Sequence, residues 1–327
     1  MARKTKTIAA IDLGSNSFRI LIKSYQESGE KWQDKTIVND LRTVRLAENM
    51  RESGRLSHQA VERGLTACRL FAKHLAQHTP ILTRICATEA LRVATNSSDF
   101  IAAAQEILRN PIEILSPREE AELTLRGCMG GIVAKDKWPI LLVDTGGAST
   151  ELIFVNSSSR VPQICSLPIG ALNITEKFIR HRPESAAELA ALTSYLQQII
   201  RPAFTSLVGN DPASCHNLQL LASGGTATAM AALDLNLRSY KAALIQGHQM
   251  TTPVIHKLLE DIRGLDLNTR NKLPGLASRG GIILTGIKIQ QTIMEIAGLT
   301  TLMISATGLL AGILAQMASK VRKFSYL

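Results

Sequence analysis

A turn motif occurs twice in this 327-residue chain, as Asp12-Leu-Gly-Ser-Asn-Ser17 and as Asp144-Thr-Gly-Gly-Ala-Ser149. The copies match at the Asp, the first Gly and the final Ser. Each lies between apolar runs with strand character: Ile8–Asp12 and Phe18–Tyr25 around the first, Ile140–Asp144 and Glu151–Val155 around the second. Two such runs joined by Gly, Ser and Asn read as a β-hairpin. A hairpin repeated in both halves of a chain reads as a duplicated α/β unit. The length has room for two domains of about 150 residues, and a composition 45 % hydrophobic and 20 % charged can bury a core in each. Two hairpins facing each other would leave a cleft between the halves, which is the natural ligand site.

The segments between the hairpins continue the α/β pattern. A third strand is expected over Thr36–Leu46. His58–Leu75 carries Val61, Leu65, Cys68, Phe71, Ala72 and Leu75 at helical spacing. Arg84–Ala87 reads as a strand with a helix from Thr88, Ile101–Leu108 as a helix and Ile112–Leu115 as a strand. Pro117 opens a helix through Arg126 with Glu119 and Glu120 in its first turn, where the helix dipole favours carboxylates. A second cycle follows Lys135-Asp-Lys-Trp-Pro139. It has a strand at Gln163–Leu167, helices from Ala171 and over Glu184–Phe204, and a strand at Leu218–Ala222. That strand enters Ser223-Gly-Gly-Thr226, a turn opening a helix at Ala227, and the remainder reads as mostly helical. Ile296–Ser319 lacks any charged residue and is long enough to cross a bilayer. Gly298-Leu-Thr-Thr301 and Ser305-Ala-Thr-Gly308 divide it, so the expectation is a buried strand followed by a docking helix.

The turns suit phosphate. Gly- and Ser-rich turns can aim successive backbone N–H groups at an anion, and Ser223-Gly-Gly-Thr226 between strand and helix resembles an anion site at a helix N-terminus. The Asp that opens each hairpin turn suits a hard cation such as Mg²⁺, which takes oxygen ligands. Neither a Walker A loop nor G-x-G-x-x-G occurs. A formal net charge of +10 favours an acidic partner, while 4 % aromatic residues is thin for stacking nucleic-acid bases. The five cysteines, Cys68, Cys86, Cys128, Cys165 and Cys215, are scattered and form no C-x-x-C pair, so neither a zinc ribbon nor a disulfide framework is indicated. The basic start, with Arg3, Lys4 and Lys6, is not patterned as a signal peptide. A cytoplasmic protein is expected. His74 and His78 share a helix face without the Glu of a zinc-protease motif and read as a surface pair.

Six stretches together resemble the exopolyphosphatase and guanosine pentaphosphate phosphatase (Ppx/GppA) family, in its order and spacing. They are Ala10-Ile-Asp-Leu-Gly-Ser-Asn-Ser-Phe-Arg19, Ala87-Thr-Glu-Ala-Leu-Arg92, Ile114-Leu-Ser-Pro-Arg-Glu-Glu-Ala121, Val143-Asp-Thr-Gly-Gly-Ala-Ser-Thr-Glu-Leu152, Leu167-Pro-Ile-Gly-Ala171 and Ser223-Gly-Gly-Thr226. The resemblance implies an α/β, two-domain actin-like ATPase fold, a duplicated ribonuclease H-like architecture with an interdomain cleft. Residues 1–124 with 306–327 would form one half and 125–305 the other. It implies the short form without a C-terminal His-Asp domain, and Mg²⁺-dependent (or Mn²⁺-dependent) release of terminal phosphate from polyphosphate or guanosine pentaphosphate. Glu120 then corresponds to the base that activates water, Asp144 to the metal-organising residue with Asp12 facing it, and Arg92 to an arginine whose fork suits phosphate. Gly14, Ser15, Asn16, Ser17, Gly146, Gly147, Ser149, Gly224, Gly225 and Thr226 would bind phosphate, with Arg19 a further candidate. The expected partner is a polyanionic phosphate, not nucleic acid or membrane; a homodimer is compatible with it.

Four departures bear on activity. Ala148 replaces a third Gly and would be strained at a positive φ. Arg279-Gly-Gly281 stands for Arg-Ala-Asp, Leu309-Leu-Ala-Gly312 for Leu-Arg-Glu-Gly, and Glu48-Asn49-Met50 for Glu-Gly-Leu. Two other readings stay open: a sensor that binds polyphosphate or guanosine tetra- and pentaphosphate with weak catalysis, and an ATP-dependent small-metabolite kinase of the same fold.

Overall fold

A computed structural model describes residues 5–28, 31–132, 139–156, 161–209, 217–276 and 279–323. Arg3, Lys4, the connection through Lys135 and Trp138, and Cys215 lie outside the described residues. The chain divides into two compact units, Met1–Gly127 with Leu309–Leu327, and Cys128–Gly308.

The first unit is built on β1 (Thr5–Leu13), β2 (Ser17–Ser28) and β3 (Lys31–Thr43), followed by a short α1 (Met50–Ser53), α2 (His58–His78) and β4 (Leu82–Ala87). α3 (Glu89–Val93), α4 (Ser97–Leu108), β5 (Ile112–Ile114) and α5 (Pro117–Ile132) complete the run. The strand order is β3-β2-β1-β4-β5, with β1–β2 and β2–β3 antiparallel and β1, β4 and β5 parallel. β3 starts earlier than the expected Thr36 because β2 and β3 form one long antiparallel ribbon, with a register shift at Ile22/Lys23. The period-2 alternation of β1 sends Ile8 and Ala10 toward Leu310, Ile313 and Leu314, and Leu13 to the other face. On that other face Phe18 meets Phe100 of α4 edge-on, centroids 6.1 Å apart.

The second unit carries β6 (Ile140–Thr145), β7 (Thr150–Val155), β8 (Pro162–Leu167), α6 (Ala171–Phe178), α7 (Ala186–Val208), β9 (Gln219–Ser223) and α8 (Gly224–Asp234). α9 (Ala242–Ile245), β10 (Gln249–Thr251), α10 (Thr252–Arg263), α11 (Leu267–Lys272), α12 (Ile283–Ala297) and β11 (Thr301–Ile304) follow, and α13 (Leu309–Lys323) returns to the first unit. Its sheet runs β10-β11-β9-β6-β7-β8. Read from β8, this repeats the first sheet strand for strand, an antiparallel triplet followed by two parallel strands, with β10 added at the edge. The duplication inferred from the two hairpins is thus a duplication of topology. β10 was not expected, because three residues between helices carry no alternation to read. α7 begins at Ala186, since Ser185 caps it: its Oγ accepts from Glu188 N and the Glu188 carboxylate accepts from Ser185 N. Glu184, expected inside that helix, is instead buried in a bidentate pair with fully buried Arg270 (2.6 and 2.5 Å).

The uncharged stretch over 296–319 resolves into β11 and α13, as its punctuation implies. Among the described residues no helix is long and apolar enough to cross a membrane. Leu310, which stands where the family has Arg, is buried in the core of the first unit. Two residues on, Gly312 lies so close to α5 that a Cβ there would sit 1.7 Å from the Leu123 carbonyl oxygen. A backbone contact of that kind cannot yield as a side chain does. Gly312→Ala should therefore cost about 1–3 kcal/mol or more, read as a fall in the denaturant midpoint at unchanged slope; an unchanged midpoint would show that α13 does not pack as described.

Candidate functional site

In the second unit the site begins with one row across three strands. Asp144 on β6 is registered with Glu151 on antiparallel β7 and with Ser223 on parallel β9. Directly opposed residues of an antiparallel pair project to the same face, so Asp144 and Glu151 share one face of the sheet. Glu151 is only 3 % exposed and accepts from Ser166 Oγ at 3.0 Å. Sequence reasoning left Glu151 out, although it stands seven residues after Asp144 just as Arg19 stands seven after Asp12. Behind the row, where Cys128 Sγ donates to Thr307 O (3.1 Å), burial pushes the thiol up to about 12, opposed by the nearby Ser305 and Ser223 hydroxyls and reinforced by the charge of Asp144. That thiol is an inert, protonated neighbour.

The second turn is held from outside the hairpin. Gly146 N donates to Ser149 O (2.9 Å), while Gly146 O accepts from Ala171 N and Gly147 O from Leu172 N and Asn173 N. Asn173 Nδ2 adds a bond to Ala148 O. The Leu167–Ala171 stretch is thus a clamp: a Cβ at Gly170 would fall 2.3 Å from Gly147 C. Ala148 is absent from the positive-φ residues, so the strain anticipated from its methyl does not arise.

The third turn is tighter than expected. Its helix starts at Gly224 rather than Ala227, so Gly224, Gly225 and Thr226 form the first turn of α8, with the uncapped N–H groups that suit an anion. Gly224 has φ +87°, and a Cβ there would lie 2.4 Å from Asp144 Oδ1. Glycine is required twice over, by conformation and by the carboxylate against it. Gly225 lies against Arg279: a Cβ there would meet the guanidinium carbon at 2.3 Å, so the arginine would have to move. Arg279 is a cation at this turn that sequence reasoning treated only as part of a departure. Thr226, expected at phosphate, has its side chain buried against Gly286 of α12. The same helix sends Gln290 Nε2 to Thr145 Oγ1 (2.8 Å), fixing the residue after Asp144.

The first unit repeats the hairpin with different chemistry. Asp12 is registered with Arg19, so this turn sets a basic residue opposite its Asp where the second sets an acidic one. Ser15 Oγ accepts from Ala90 N at 3.2 Å and Ser15 O from Ala47 N, while Asn16 O accepts from Val44 N and Arg45 N. Asn16 Nδ2 donates to Ser17 Oγ (3.1 Å). The Ser15 hydroxyl, expected at phosphate, thus anchors α3. Asn49, at φ +58°, occupies the left-handed region where the family has Gly, a conformation Asn tolerates.

α3 carries Arg92 to Glu120. Arg92 Nη1 donates to Leu115 O (2.6 Å) and to Glu120 Oε2 (3.2 Å), and Nη2 donates to Glu89 Oε2. Burial disfavours the charged form of Arg92, and the Glu89 hydrogen bond and the charge of Glu120 outweigh it, so the cation is held more firmly than usual. The structure therefore brings Arg92 and Glu120 together and adds Glu89, with the Arg92 fork holding carboxylates rather than open to phosphate. The capping contacts at the start of α5 are made by Glu119. Ser116 N and Oγ both donate to Glu119 Oε2 and Glu119 N donates to Ser116 Oγ, which keeps the Glu119 carboxyl below its ordinary range. Glu119 caps α5, and Glu120 turns toward Arg92. His74 pairs with Asp40 at 3.4 Å, and among the described residues no cluster of three or more His, Cys, Asp or Glu is arranged to hold a metal.

Two ribonuclease H-like sheets in tandem, each with an Asp-Gly hairpin at its head, define a two-domain actin-like fold. The chain belongs to the Ppx/GppA phosphatase family, whose profile matches residues 27–321. It is similar to the crystal structure of the Aquifex aeolicus family member, with 26 % identity, a TM-score of 0.76, and 97 % of this chain and 99 % of that one covered. An exopolyphosphatase-like protein matches at 25 % identity and a TM-score of 0.84 over 96 % of this chain and 99 % of the other. The exopolyphosphatase of Cytophaga hutchinsonii shares the fold, with 21 % identity, a TM-score of 0.83, and 96 % and 98 % covered. Membership supports a phosphatase that acts on phosphate-containing polyanions.

The Arg92 geometry carries a prediction. Lysine keeps the charge but cannot bridge Glu89, Glu120 and the Leu115 carbonyl at once. Arg92→Lys should lower kcat for phosphate release by about 10- to 100-fold with an unchanged fold by circular dichroism; a wild-type kcat would remove Arg92 from the placement of Glu120.

Proposed function

We propose that the protein is a divalent-metal-dependent phosphohydrolase that releases terminal orthophosphate from inorganic polyphosphate, guanosine pentaphosphate or both. The observation that carries this reading is the Asp144–Glu151 carboxylate pair, one residue in register from the Gly224 helix start. Two carboxylates beside phosphate-binding amides suit Mg²⁺, or Mn²⁺, which fills its remaining positions with water and phosphate oxygen. Bound there, such an ion neutralises charge on the phosphate chain.

In this reading Glu120 accepts a proton from water as the water oxygen attacks the terminal phosphorus, and the bond from that phosphorus to the bridging oxygen breaks. Arg92 holds Glu120 in place. The first-turn amides of α8 and the Arg279 guanidinium at Gly225 supply positive charge to the equatorial oxygens and the departing phosphate. Asp12 beside Arg19 makes the first turn less acidic than the second, which assigns it to binding the phosphate chain rather than the metal. The net charge of +10 suits a long polyanion. We take the site of action to be the cytoplasm.

The test is orthophosphate release from long-chain polyphosphate and guanosine pentaphosphate with and without Mg²⁺. Release should require metal and fall at least about 100-fold in Glu120→Gln, which preserves shape and removes the base. No metal-dependent release from either substrate, with both still bound, would replace the hydrolase by a sensor.

A further inference from the structure

Arg279, whose guanidinium lies against Gly225 at the start of α8, sits on a stretch of backbone that is fixed from several sides. The buried Glu184–Arg270 pair is one anchor, and Arg270 Nε also donates to Leu265 O (2.9 Å). Arg182 Nη1 adds a further donor to Glu184 Oε1 (3.2 Å), while its Nη2 reaches the Gly281 carbonyl (2.9 Å). One guanidinium therefore ties the buried pair to the Arg279–Gly281 stretch. On the other side Gly280 N donates to Asn271 Oδ1 (3.2 Å). A Cβ on Gly280 would fall 2.8 Å from Arg270 Cβ and 2.9 Å from Asn271 N, so no side chain fits there unless α11 shifts. The Arg279 carbonyl accepts from Ile282 N (2.9 Å) and Ile283 N (3.0 Å), where α12 begins. Where the family has Arg-Ala-Asp, a Cβ on Gly281 would be 3.7 Å from Arg182 Nη2, an ordinary contact. Position 281 has room for that Asp beside the same guanidinium, and here the backbone carbonyl takes its place.

We infer that Arg182 is a positioning residue for Arg279: by joining the Glu184–Arg270 pair to the Gly281 carbonyl, it holds the Arg279 guanidinium at the first turn of α8. The inference rests on the reading that this turn and Arg279 bind phosphate. Burying an ion pair gains little stability over apolar packing, and what the pair supplies here is a rigid mount. A guanidinium placed in advance spends less of its binding energy on ordering when the anion arrives. Arg182 acts through the backbone of Gly281, so its contribution to phosphate binding passes through Arg279 and has no value without it.

The discriminating measurement is a double-mutant cycle on tripolyphosphate binding, by equilibrium dialysis with Mg²⁺, in the wild-type protein, Arg182→Ala, Arg279→Ala and the double variant. Arg279→Ala should weaken binding by about 10- to 100-fold, and Arg182→Ala by at least about fivefold. The double variant should stay within about twofold of Arg279→Ala alone, because the second change removes support from a side chain already gone. Arg182→Lys keeps the charge beside Glu184 but cannot span both partners, and it should weaken binding as Arg182→Ala does even if the alanine variant proves too unstable to assay. A general loosening of the unit would instead add to the loss at Arg279. Additive losses, or wild-type affinity in both Arg182 variants, would overturn the inference and leave Arg279 at the phosphate. Wild-type affinity in Arg279→Ala would overturn the inference together with the role given to Arg279 in the proposed function.

Discussion

The chemistry of the second unit depends on the position of β6 between β7 and β9. That pairing sets Glu151, Asp144 and Ser223 in one row and places the Asp144 carboxylate against the Cα of Gly224. The register is held by alternation: Leu141 and Val143 face the core formed with α7, α8 and α12, and Asp144 takes the opposite face. A slip of one residue would turn Asp144 into that core and Val143 out of it. Burial of apolar side chains thus fixes where a carboxylate stands, and the carboxylate in turn demands glycine on the neighbouring strand's exit. Helix α12 secures the arrangement from behind, through Gln290 on Thr145 and Gly286 against Thr226.

The two units show how one folded motif acquires two chemistries. The hairpins share their Asp, Gly and Ser and the same strand order. They differ at the cross-strand partner of the Asp, Arg19 in one and Glu151 in the other. An arginine opposite the Asp lowers the negative charge of the first turn, whereas a second acidic residue raises that of the other. The first unit contributes instead a carboxylate held by a cation, Glu120 on Arg92. Its neighbour Glu119 takes the capping role, bonded to Ser116.

Much of this was legible in the sequence wherever a local rule applied. Hairpins, the long amphipathic α2 and the strand-then-helix division of 296–319 follow from periodicity and turn residues, which act over a few positions. What was not legible depends on contacts between distant segments. Nothing near Gly225 in sequence signals that Arg279 lies on it, and nothing near Gly312 signals the Leu123 carbonyl. Arg92 carries a fork that suits phosphate, and only the fold shows it occupied by Glu89 and Glu120. Glu151 was recoverable: aligning the hairpins two residues beyond their shared Ser sets it in the place of Arg19, the cross-strand partner of the Asp. The start of α8 at Gly224 was missed because a helix opening on two glycines runs against propensity, and only the fold shows Asp144 against Gly224 and Arg279 against Gly225.

The central claim is that Asp144 and Glu151 form one cation site. The most direct measurement is Mn²⁺ binding, followed by electron paramagnetic resonance of the free ion, in the wild-type protein, Asp144→Asn and Glu151→Gln. The account predicts a binding site that weakens at least about tenfold in each variant. Equal Mn²⁺ affinity in all three proteins would contradict it and place any metal elsewhere in the molecule.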